Sequence, residues 1–315
     1  MSALFHSYLC GRNATEWLIT MKNLILLEGG SYRGIYTSGV LDVFMEHNIY
    51  PDCVVGVSAG ALNGLGYVAQ QPGRCRDVVL SYGMDPRYIG TKALRKEHNL
   101  VGFDFILRDL QHILPFDEES FSDPARKFYV GVTNCRTGEP EFIDRDHCSD
   151  FLTAVAASCS MPYLCRKVQL DGEYYLDGGA ASRLGLEFLD QHPEYDRVVV
   201  LLTRRLSYRK KKPSDLMRNL GNRLYHDYPL LLEKLQYEDE VYVAEREHLA
   251  KLVQSDRVLV LQPQTELNIG RLERDLDNLK IGYETGQRDG ERFWKSVQAH
   301  WEKTPERAAE NSANS

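Results

Sequence analysis

Residues 21–44 read MKNLILLEGGSYRGIYTSGVLDVF, and residues 54–64 read VVGVSAGALNG. In the first stretch a short apolar run ends in a glycine cluster, which is typical of a buried strand, and apolar side chains then recur at helical spacing. The second stretch pairs a valine-rich run with small apolar residues in the same way. The elements predicted from these patterns are strands over 23–28 and 52–57 and helices over 34–48 and 58–70. This order predicts an α/β fold with a mainly parallel sheet and right-handed crossovers.

The rest of the chain adds further elements to this unit. Strands are expected over 127–133, 168–170, 174–176, 196–203 and 257–262, a helix over 151–158, and mostly helix from residue 216 onward. Asp171-Gly172 is a strong hairpin turn signal between two of these strands. Leu272, Leu276 and Leu279 lie at i, i+4 and i+7, which predicts a core-facing stripe on a late helix. We expect one α/β domain, a mainly parallel central sheet flanked by helices, with a helical C-terminal extension.

Composition excludes several classes of function. The 315 residues carry a formal charge of −7 and a pI near 5.8, which argues against nucleic-acid binding. No apolar run reaches the roughly 18–20 residues of a membrane span, and the N-terminus makes a poor signal peptide. The seven cysteines form no CxxC pair, so neither a zinc site nor a disulfide framework is indicated. We predict a cytoplasmic protein without metal or cofactor.

The candidate nucleophile is Ser58 in the segment Gly56-Val57-Ser58-Ala59-Gly60, which matches G-x-S-x-G. The segment lies where a strand gives way to a helix, as a nucleophile elbow requires. Gly56 and Gly60 remove side chains that would collide at so sharp a turn. The helix that begins there favours negative charge near the serine. A serine that merely caps the helix is the alternative interpretation.

The segment EGGSYRG also follows a strand and opens a helix. It fails as a dinucleotide fingerprint because Ser31 stands where a glycine would be required. Backbone N–H groups of Gly29, Gly30 and Ser31 could instead bind an oxyanion formed at the serine, since neighbouring βα loops meet at one sheet edge. We expect Arg33 to brace this loop, with added positive charge as the alternative, and Gly34 to support the same turn.

A serine nucleophile needs a base. Four histidines follow Ser58 in the order that an α/β-hydrolase requires, but none lies in a glycine-rich loop directly after a buried strand: His192, His226, His248 and His300. Asp177 follows a predicted strand and precedes Gly178 and Gly179, so its carboxylate can reach a cleft with little steric cover. An ordinary Asp-Gly turn is the alternative.

EGGSYRG, GVSAG and DGG, in this order, resemble the motifs of the patatin-like phospholipase family. The resemblance covers residues 24–189 and includes SCSMP at 158–162, and LDNLKIGYETG resembles the C-terminal part of a bacterial subgroup. The family consists of lipid acyl hydrolases with a Ser–Asp dyad and no catalytic histidine, on a three-layer sandwich fold. The resemblance therefore implies Ser58 as nucleophile and Asp177 as proton acceptor.

Two positions depart from the family pattern. Ser31 replaces the third glycine of the usual loop, and residues 182–185 (SRLG) replace the asparagine or serine and proline that usually follow the aspartate motif. If position 31 requires φ > 0, its serine costs about 1–2 kcal/mol of strain.

The expected division of the chain is an N-terminal extension over 1–20, a catalytic core over 21–205, a remaining strand with a helical C-terminal region over 206–305, and a disordered tail over 306–315. The expected partner is a lipid or acyl-ester substrate.

Two further segments have alternative interpretations. Residues 101–116 predict a core helix, with a lid as the alternative. The basic stretch RRLSYRKKK could contact anionic membrane or form a solvated loop; its basic residues are Arg204, Arg205, Arg209, Lys210, Lys211 and Lys212.

The sequence thus predicts a serine acyl-ester hydrolase, a carboxylic ester hydrolase of phospholipase A or lysophospholipase type. Two other functions remain open at this level. One is a histidine-dependent α/β-hydrolase esterase, and the other is a non-catalytic lipid-binding protein of the same fold.

Overall fold

The computed structural model describes residues 21–303. The predicted N-terminal extension (1–20) and the predicted tail (306–315) lie outside the described residues, and the predicted division of the chain stays a prediction. The strands are β1 (Asn23–Leu27), β2 (Cys53–Val57), β3 (Lys127–Asn134), β4 (Pro140–Asp144), β5 (Val168–Leu170), β6 (Glu173–Asp177), β7 (Arg197–Leu201) and β8 (Val258–Leu261). The α-helices are α1 (Gly34–Glu46), α2 (Ala59–Val68), α3 (Arg74–Tyr82), α4 (Thr91–Glu97), α5 (Phe103–Leu107), α6 (Glu118–Phe121), α7 (Phe151–Ser158), α8 (Glu187–Gln191), α9 (Asp215–Leu224), α10 (Pro229–Gln236), α11 (Glu238–Leu252) and α12 (Leu276–Glu302).

The strands form one sheet in the order β5-β6-β3-β2-β1-β7-β8, with β4 paired to β3 outside that path. The five central strands, β3, β2, β1, β7 and β8, run parallel. β4 and β6 both run antiparallel to β3. The expected α/β fold with a mainly parallel sheet is therefore confirmed. Helices cover both faces, as parallel sheets require.

Successive residues of β1 point to opposite faces of the sheet and enter different cores. Ile25 and Leu27 belong to the larger core, which contains side chains of α1, α2, α7 and α12. Leu24 and Leu26 belong to a second core with residues of α8 and α11. A strand buried on both faces reads as a continuous apolar run rather than an alternating one, which explains the pattern NLILL.

The long C-terminal helix packs closely against the first helix. A Cβ added at Gly39 of α1 would clash with the carbonyl oxygen of Tyr283, and one added at Gly286 of α12 would clash with that of Tyr36. Glycines at these positions let the two backbones approach. Tyr283 Oη also donates to Asp42 Oδ2 at 2.7 Å, so a buried polar contact accompanies the close packing.

The structure differs from the sequence predictions at two places. β4 was not predicted; its five residues are all half-buried, and it pairs with residues 129–133 of β3. Of the predicted leucine stripe, only Leu279 is buried, whereas Leu272 and Leu276 are 38% and 36% exposed because α12 begins at Leu276. Across residues 21–303, no helix is both long and apolar enough to span a membrane.

Candidate active site

Ser58 occupies a strained turn between β2 and α2. Its backbone has φ 54° and ψ −119°, a conformation that non-glycine residues rarely adopt. A Cβ at Gly56 would lie 2.5 Å from the carbonyl oxygen of Gly60, and one at Gly60 would clash with the carbonyl of Leu27. The two motif glycines therefore permit the sharp turn and the close passage of α2 beside β1.

Asp177 reaches Ser58 because β6 enters the sheet from the opposite direction. β6 runs antiparallel to β3 and its last residue, Asp177, pairs with Val132, while β2 ends with Val57 opposite Gly131. The ends of β2 and β6 therefore converge at the carboxyl edge of the parallel strands. There, Ser58 Oγ donates a hydrogen bond to Asp177 Oδ2 at 2.7 Å.

The Asp177 carboxylate accepts two hydrogen bonds and has little contact with solvent. Its side chain is buried, and its second oxygen, Oδ1, accepts from the N–H of Gly179 at 2.8 Å. Burial raises the pKa of Asp177 above its ordinary value, while the hydrogen bonds and the positive charges of Arg183 and Arg271 oppose that rise. A raised pKa makes the carboxylate a stronger base than a solvated aspartate.

Gly178, directly after Asp177, allows this part of the chain to pack closely against β3. A Cβ at Gly178 would clash with the carbonyl oxygen of Gly131 in β3. Thr133 Oγ1 donates to the carbonyl of Asp177 at 2.8 Å, which fixes the backbone from the β3 side.

Ser158, at the end of α7, stabilises the turn at Ser58 through two hydrogen bonds of its hydroxyl group. Its hydroxyl accepts from the N–H of Ser58 at 2.9 Å and donates to the carbonyl of Gly131 at 2.7 Å. Cys159 Sγ lies 3.2 Å from the carbonyl oxygen of Ser58, to which it donates. The segment SCSMP thus forms hydrogen bonds with the turn of the candidate nucleophile, a role that the sequence did not predict.

The glycine-rich loop lies beside Ser58, and its three candidate amides differ in availability. The N–H of Gly29 donates to the carbonyl of Arg183 at 3.2 Å, so it already has a structural partner. Within residues 21–303, the N–H groups of Gly30 and Ser31 have no hydrogen-bond acceptor. Of the three candidate amides, these two are therefore free to donate to a further acceptor. Ser31 has φ 53°, so the position does require the left-handed conformation.

Glu28 anchors the start of the same loop. Its Oε1 accepts from Arg246 at 3.0 Å, and its Oε2 accepts from the hydroxyl of Thr203 at 3.0 Å. Because Glu28 is 1% exposed, its negative charge is neutralised by this pairing rather than by water.

The loop is also tied to the segment between β8 and α12. Ser31 Oγ donates to the carbonyl of Arg271 at 2.8 Å, and Arg33 Nη1 donates to the carbonyl of Ile269 at 3.1 Å. Arg33 therefore makes the kind of bond expected of a bracing residue. Gly34 lies where α1 approaches α2; a Cβ there would lie 2.8 Å from that of Ala59.

Two pockets meet at Ser58, and Ser31, Ser58 and Met161 line both. The apolar pocket, of about 1040 Å³ including its open mouth, is lined by residues that include Ile35, Leu62, Val79, Ile89, Ile106 and Phe116. The polar pocket, of about 670 Å³ including its open mouth, is lined by residues that include Gly30, Arg33, Asp177, Arg183, Glu238 and Arg271. Residues 101–116 contain one short buried helix, α5, so the predicted core helix is confirmed over residues 103–107 and is wrong beyond them, where most side chains are exposed or half-buried. Residues of the segment also line the apolar pocket.

None of the four candidate histidines lines either pocket, as far as the described residues go. His192 contacts Glu194 and stacks on Phe188. His226 is bonded to the carbonyl of Arg223 and His300 to that of Arg257.

The basic stretch is divided by the fold. Lys210 is buried and paired with Glu238 at 2.6 Å, and burial lowers the pKa of Lys210 to about 8. Arg204 lies 3.6 Å from Glu266 and over the ring of Tyr208. The remaining four basic residues are exposed: Arg205, Arg209, Lys211 and Lys212.

Comparison with known proteins assigns the chain to a family. The sequence model of the patatin-like phospholipase family matches residues 25–190. Since this range is more than half of the chain, the protein belongs to the patatin-like phospholipase family. A second family model, a domain of unknown function (DUF6363), matches residues 228–302.

Individual relatives have low identity. The uncharacterized protein YjjU of Escherichia coli is 24% identical over 279 residues, which cover 87% of this chain and 77% of YjjU. Lysophospholipase nte1 of Aspergillus terreus is 29% identical over 184 residues, 56% of this chain but 11% of that protein. Among solved structures, VipD from Legionella pneumophila gives a TM-score of 0.47 at 13% identity, covering 88% of this chain and 67% of VipD.

Proposed function

We propose that this protein hydrolyses acyl esters of lipids through a covalent acyl-enzyme, with Ser58 as nucleophile and Asp177 as proton acceptor. The observation that carries the proposal is the 2.7 Å hydrogen bond from Ser58 Oγ to Asp177 Oδ2 at the junction of the two pockets. Family membership and the similarity to a lysophospholipase support lipid hydrolysis.

In the first half-reaction, Ser58 Oγ attacks the ester carbonyl carbon while its proton passes to Asp177. The tetrahedral oxyanion is bound by the amides of Gly30 and Ser31. The amide of Ala59, which opens α2, adds to them, since the residue after a nucleophile commonly supplies such a donor. The intermediate then collapses: the ester C–O bond breaks, and Asp177 returns the proton to the leaving alcohol.

In the second half-reaction, water attacks the acyl-enzyme and gives a proton to Asp177. The bond from the acyl carbon to Ser58 Oγ breaks, the serine regains the proton, and the carboxylic acid leaves. Asp177 serves as base in both halves, so no histidine is needed. Its burial beside Ser58 matches this task because a raised pKa strengthens a carboxylate base.

The two pockets suggest how the ester is placed. The apolar pocket suits the acyl chain, since it is lined mainly by aliphatic and aromatic side chains. The polar pocket then receives the alcohol portion. Ser58 lies between them, where the ester carbonyl must be.

Contact with a membrane surface is part of the proposal. The four exposed basic residues of the stretch 204–212 would each add about 1 kcal/mol of attraction to anionic lipid. Leu206, in the same stretch, is 39% exposed and Leu216 at the start of α9 is 76% exposed. Lys210 and Arg204 make internal pairs and are left out of this surface.

A fluorophosphonate probe tests the nucleophile directly. We expect the probe to label the wild type at Ser58 and to leave Ser58→Ala unlabelled. Circular dichroism verifies that both proteins are folded. p-Nitrophenyl esters of rising chain length, assayed with both proteins, then report the acyl preference. We expect longer chains to be hydrolysed faster, and hydrolysis that survives in Ser58→Ala would contradict the proposed nucleophile.

The two alternative functions predict different results in these experiments. A histidine-dependent esterase would lose turnover when one of the four histidines is replaced by alanine, while Asp177→Asn would only weaken it. A lipid-binding protein without catalysis would bind vesicles but leave the probe unreacted.

A further inference from the structure

The side chains of Arg183 and Arg271 lie at the polar pocket without partners. Both residues line the pocket together with Ser58 and Asp177. Within residues 21–303, neither guanidinium makes a hydrogen bond or an ion pair. Arg183 is half-buried and lies over the ring of Tyr242, and Arg271 is exposed to solvent. A guanidinium group binds carboxylate or phosphate oxygens through strong, charge-assisted hydrogen bonds. Two unpaired ones at one pocket therefore leave binding capacity for an anion.

We propose that Arg183 and Arg271 form an anion subsite that binds a phosphate group on the alcohol half of the ester. The proposal rests on the proposed function, because it assigns the alcohol half to the polar pocket. It makes the preferred substrate an acyl ester with a phosphate-bearing alcohol, as distinct from a neutral glyceride.

The charges around the pocket support this assignment. Two carboxylates line it. Asp177 is bonded to Ser58 and Gly179, and Glu238 is paired with Lys210 at 2.6 Å. The carboxylates are therefore occupied, while the two arginines are not. Such a local excess of positive charge attracts an anion.

Arg33 adds a buried cation to the same wall. It lines the polar pocket and is 5% exposed, and its Nε has no hydrogen-bond partner among the described residues. Burial, followed by the charges of Arg204, Arg183 and Arg271, lowers the pKa of Arg33 to about 10. The negative charge of Glu28 opposes this shift, but the three arginines outnumber it, and a bound phosphate would relieve their repulsion of Arg33.

The two arginines come from separate parts of the chain, and each is held by its backbone. The carbonyl of Arg183 accepts from Gly29, and the carbonyl of Arg271 accepts from Ser31 Oγ at 2.8 Å. Both contacts are to the glycine-rich loop beside the nucleophile. These contacts hold the backbone of each arginine beside that loop, so an anion bound by the two side chains would lie in the pocket that Ser58 also lines.

Phosphate fits this arrangement better than a single carboxylate does. Guanidinium groups bind phosphate oxygens in a bidentate geometry, and two of them can share the three or four oxygens of one phosphate. The same chemistry is offered by a lipid phosphate and by free inorganic phosphate. The experiment has to separate these two sources.

The test compares two esters that differ only in the phosphate. A 1-acylglycerol 3-phosphate and the 1-acylglycerol with the same short acyl chain are assayed below the concentration at which they aggregate. We expect the wild type to prefer the phosphate ester in kcat/KM. In Arg183→Gln and in Arg271→Gln, the ratio of the two kcat/KM values should fall by about 10- to 100-fold, the loss typical of one charged hydrogen bond.

Two further variants serve as controls. Arg95→Gln makes the same change of charge at an exposed arginine of α4 that lines neither pocket, so the ratio should stay at the wild-type value. Arg271→Lys keeps a charge but loses the fork of donors, so its ratio should lie between those of the wild type and Arg271→Gln. The rate on the neutral ester measures any general damage in each variant.

Inorganic phosphate distinguishes the two sources. Competitive inhibition by phosphate that weakens in both glutamine variants, together with a fallen ratio, supports the subsite. Inhibition without a change in the ratio would mean that the arginines take free phosphate and not the substrate, which overturns the proposal. An equal ratio in all variants, without inhibition, overturns it as well.

Failure of the proposed function would look different. If the wild type hydrolyses neither ester, the acyl-hydrolase proposal fails, and calorimetric binding of the phosphate ester then decides the subsite. Binding to the wild type that is lost in Arg183→Gln and Arg271→Gln would keep the anion subsite. Unchanged binding would remove it.

Discussion

Ser31 Oγ donates a hydrogen bond to the carbonyl oxygen of Arg271 at 2.8 Å, across 240 positions of sequence. The bond joins the glycine-rich loop beside the nucleophile to the segment before the last helix. Ser31 holds this position with φ 53°, where a glycine would be relaxed. The hydroxyl thus contributes a tertiary contact that glycine could not make.

Ser31→Gly and Ser31→Ala separate the strain from the hydrogen bond. Both lose the bond to Arg271, but only alanine keeps the cost of a Cβ at positive φ. We expect Ser31→Gly to be more stable than Ser31→Ala by about 1 kcal/mol. Relative to the wild type, Ser31→Gly should be nearly neutral, since relief of strain offsets a hydrogen bond worth about 0.5–1.5 kcal/mol. Urea unfolding measures both differences, and equal stability of the two variants would show that position 31 carries no strain.

Asp177 should set the acid limb of the pH–rate profile. As the proposed base it must be ionised, and burial raises its pKa. Activity on a neutral ester should therefore fall, as pH drops, at a pH above the ordinary aspartate pKa of about 3.9. Asp177→Asn, which keeps the shape of the side chain, should reduce kcat by about 10²–10⁴.

The same profile tests the charge near Asp177. Arg271 helps to lower the pKa of that carboxyl, so Arg271→Gln should move the acid limb to higher pH. Arg95→Gln, with the same charge change at a site lining neither pocket, should leave the limb in place. An equal shift of the acid limb in both variants would indicate an effect of net charge and not of the arginine near Asp177.

Glu245 should make stability depend on pH near neutrality. Burial raises its pKa from 4.5 to about 7, while its Oε1 accepts from Leu184 N–H and Ser182 Oγ. A raised carboxyl pKa stabilises the folded state below the unfolded pKa, and this contribution is lost as pH rises through the folded pKa. Between pH 4.5 and 7 the loss is on the order of 3 kcal/mol.

Glu245→Gln should remove this dependence because an amide oxygen can accept the same two bonds without ionising. Its melting temperature, relative to the wild type, should rise as pH increases from 4.5 to 7. Glu247→Gln makes the same change at an exposed position of the same helix and should leave the wild-type slope. Parallel curves for the wild type and Glu245→Gln would show that Glu245 does not titrate in this range.

Gly286→Ala should destabilise the whole protein. The added Cβ would meet the carbonyl of Tyr36 in α1, and neither backbone can move without disturbing the core. We expect a cost of about 3 kcal/mol or more, at the upper end for overpacking. Gly270→Ala is the matched control, since its Cβ would meet only the flexible carboxylate of Glu273 at 3.7 Å. Similar unfolding midpoints for the two variants would contradict the close packing of α1 and α12.

The first strand–helix–strand–helix unit was predictable because each of its signals is local. Strand and helix bounds agree within two residues, and the turn at Ser58 follows from its two glycines. β4 was not predictable because its apolar content is low and its pairing depends on β3. The exposure of Leu272 depends on where α12 begins, which the spacing of leucines does not specify.

For the candidate site, the sequence likewise predicted the local elements but not the contacts between distant segments. The positions of Ser58 and Asp177 could be anticipated as the ends of strands. Their mutual distance depends on β6 running antiparallel to β3, which the hairpin signal alone does not determine. The engagement of the Gly29 amide by Arg183 and the presence of Arg271 at the pocket arise from contacts between segments far apart in sequence.

The carbonyl that Ser31 contacts belongs to a segment outside the sheet, whereas Ser58 and Asp177 lie at the ends of strands of that sheet. One side of the cleft is thus built by the ends of β2 and β6, and the opposite side by a stretch that follows β8. If the proposed reaction is correct, substitutions in that later stretch should alter which alcohols fit without shifting Ser58 or Asp177. The architecture would then separate the chemistry of the bond from the choice of the group that leaves it.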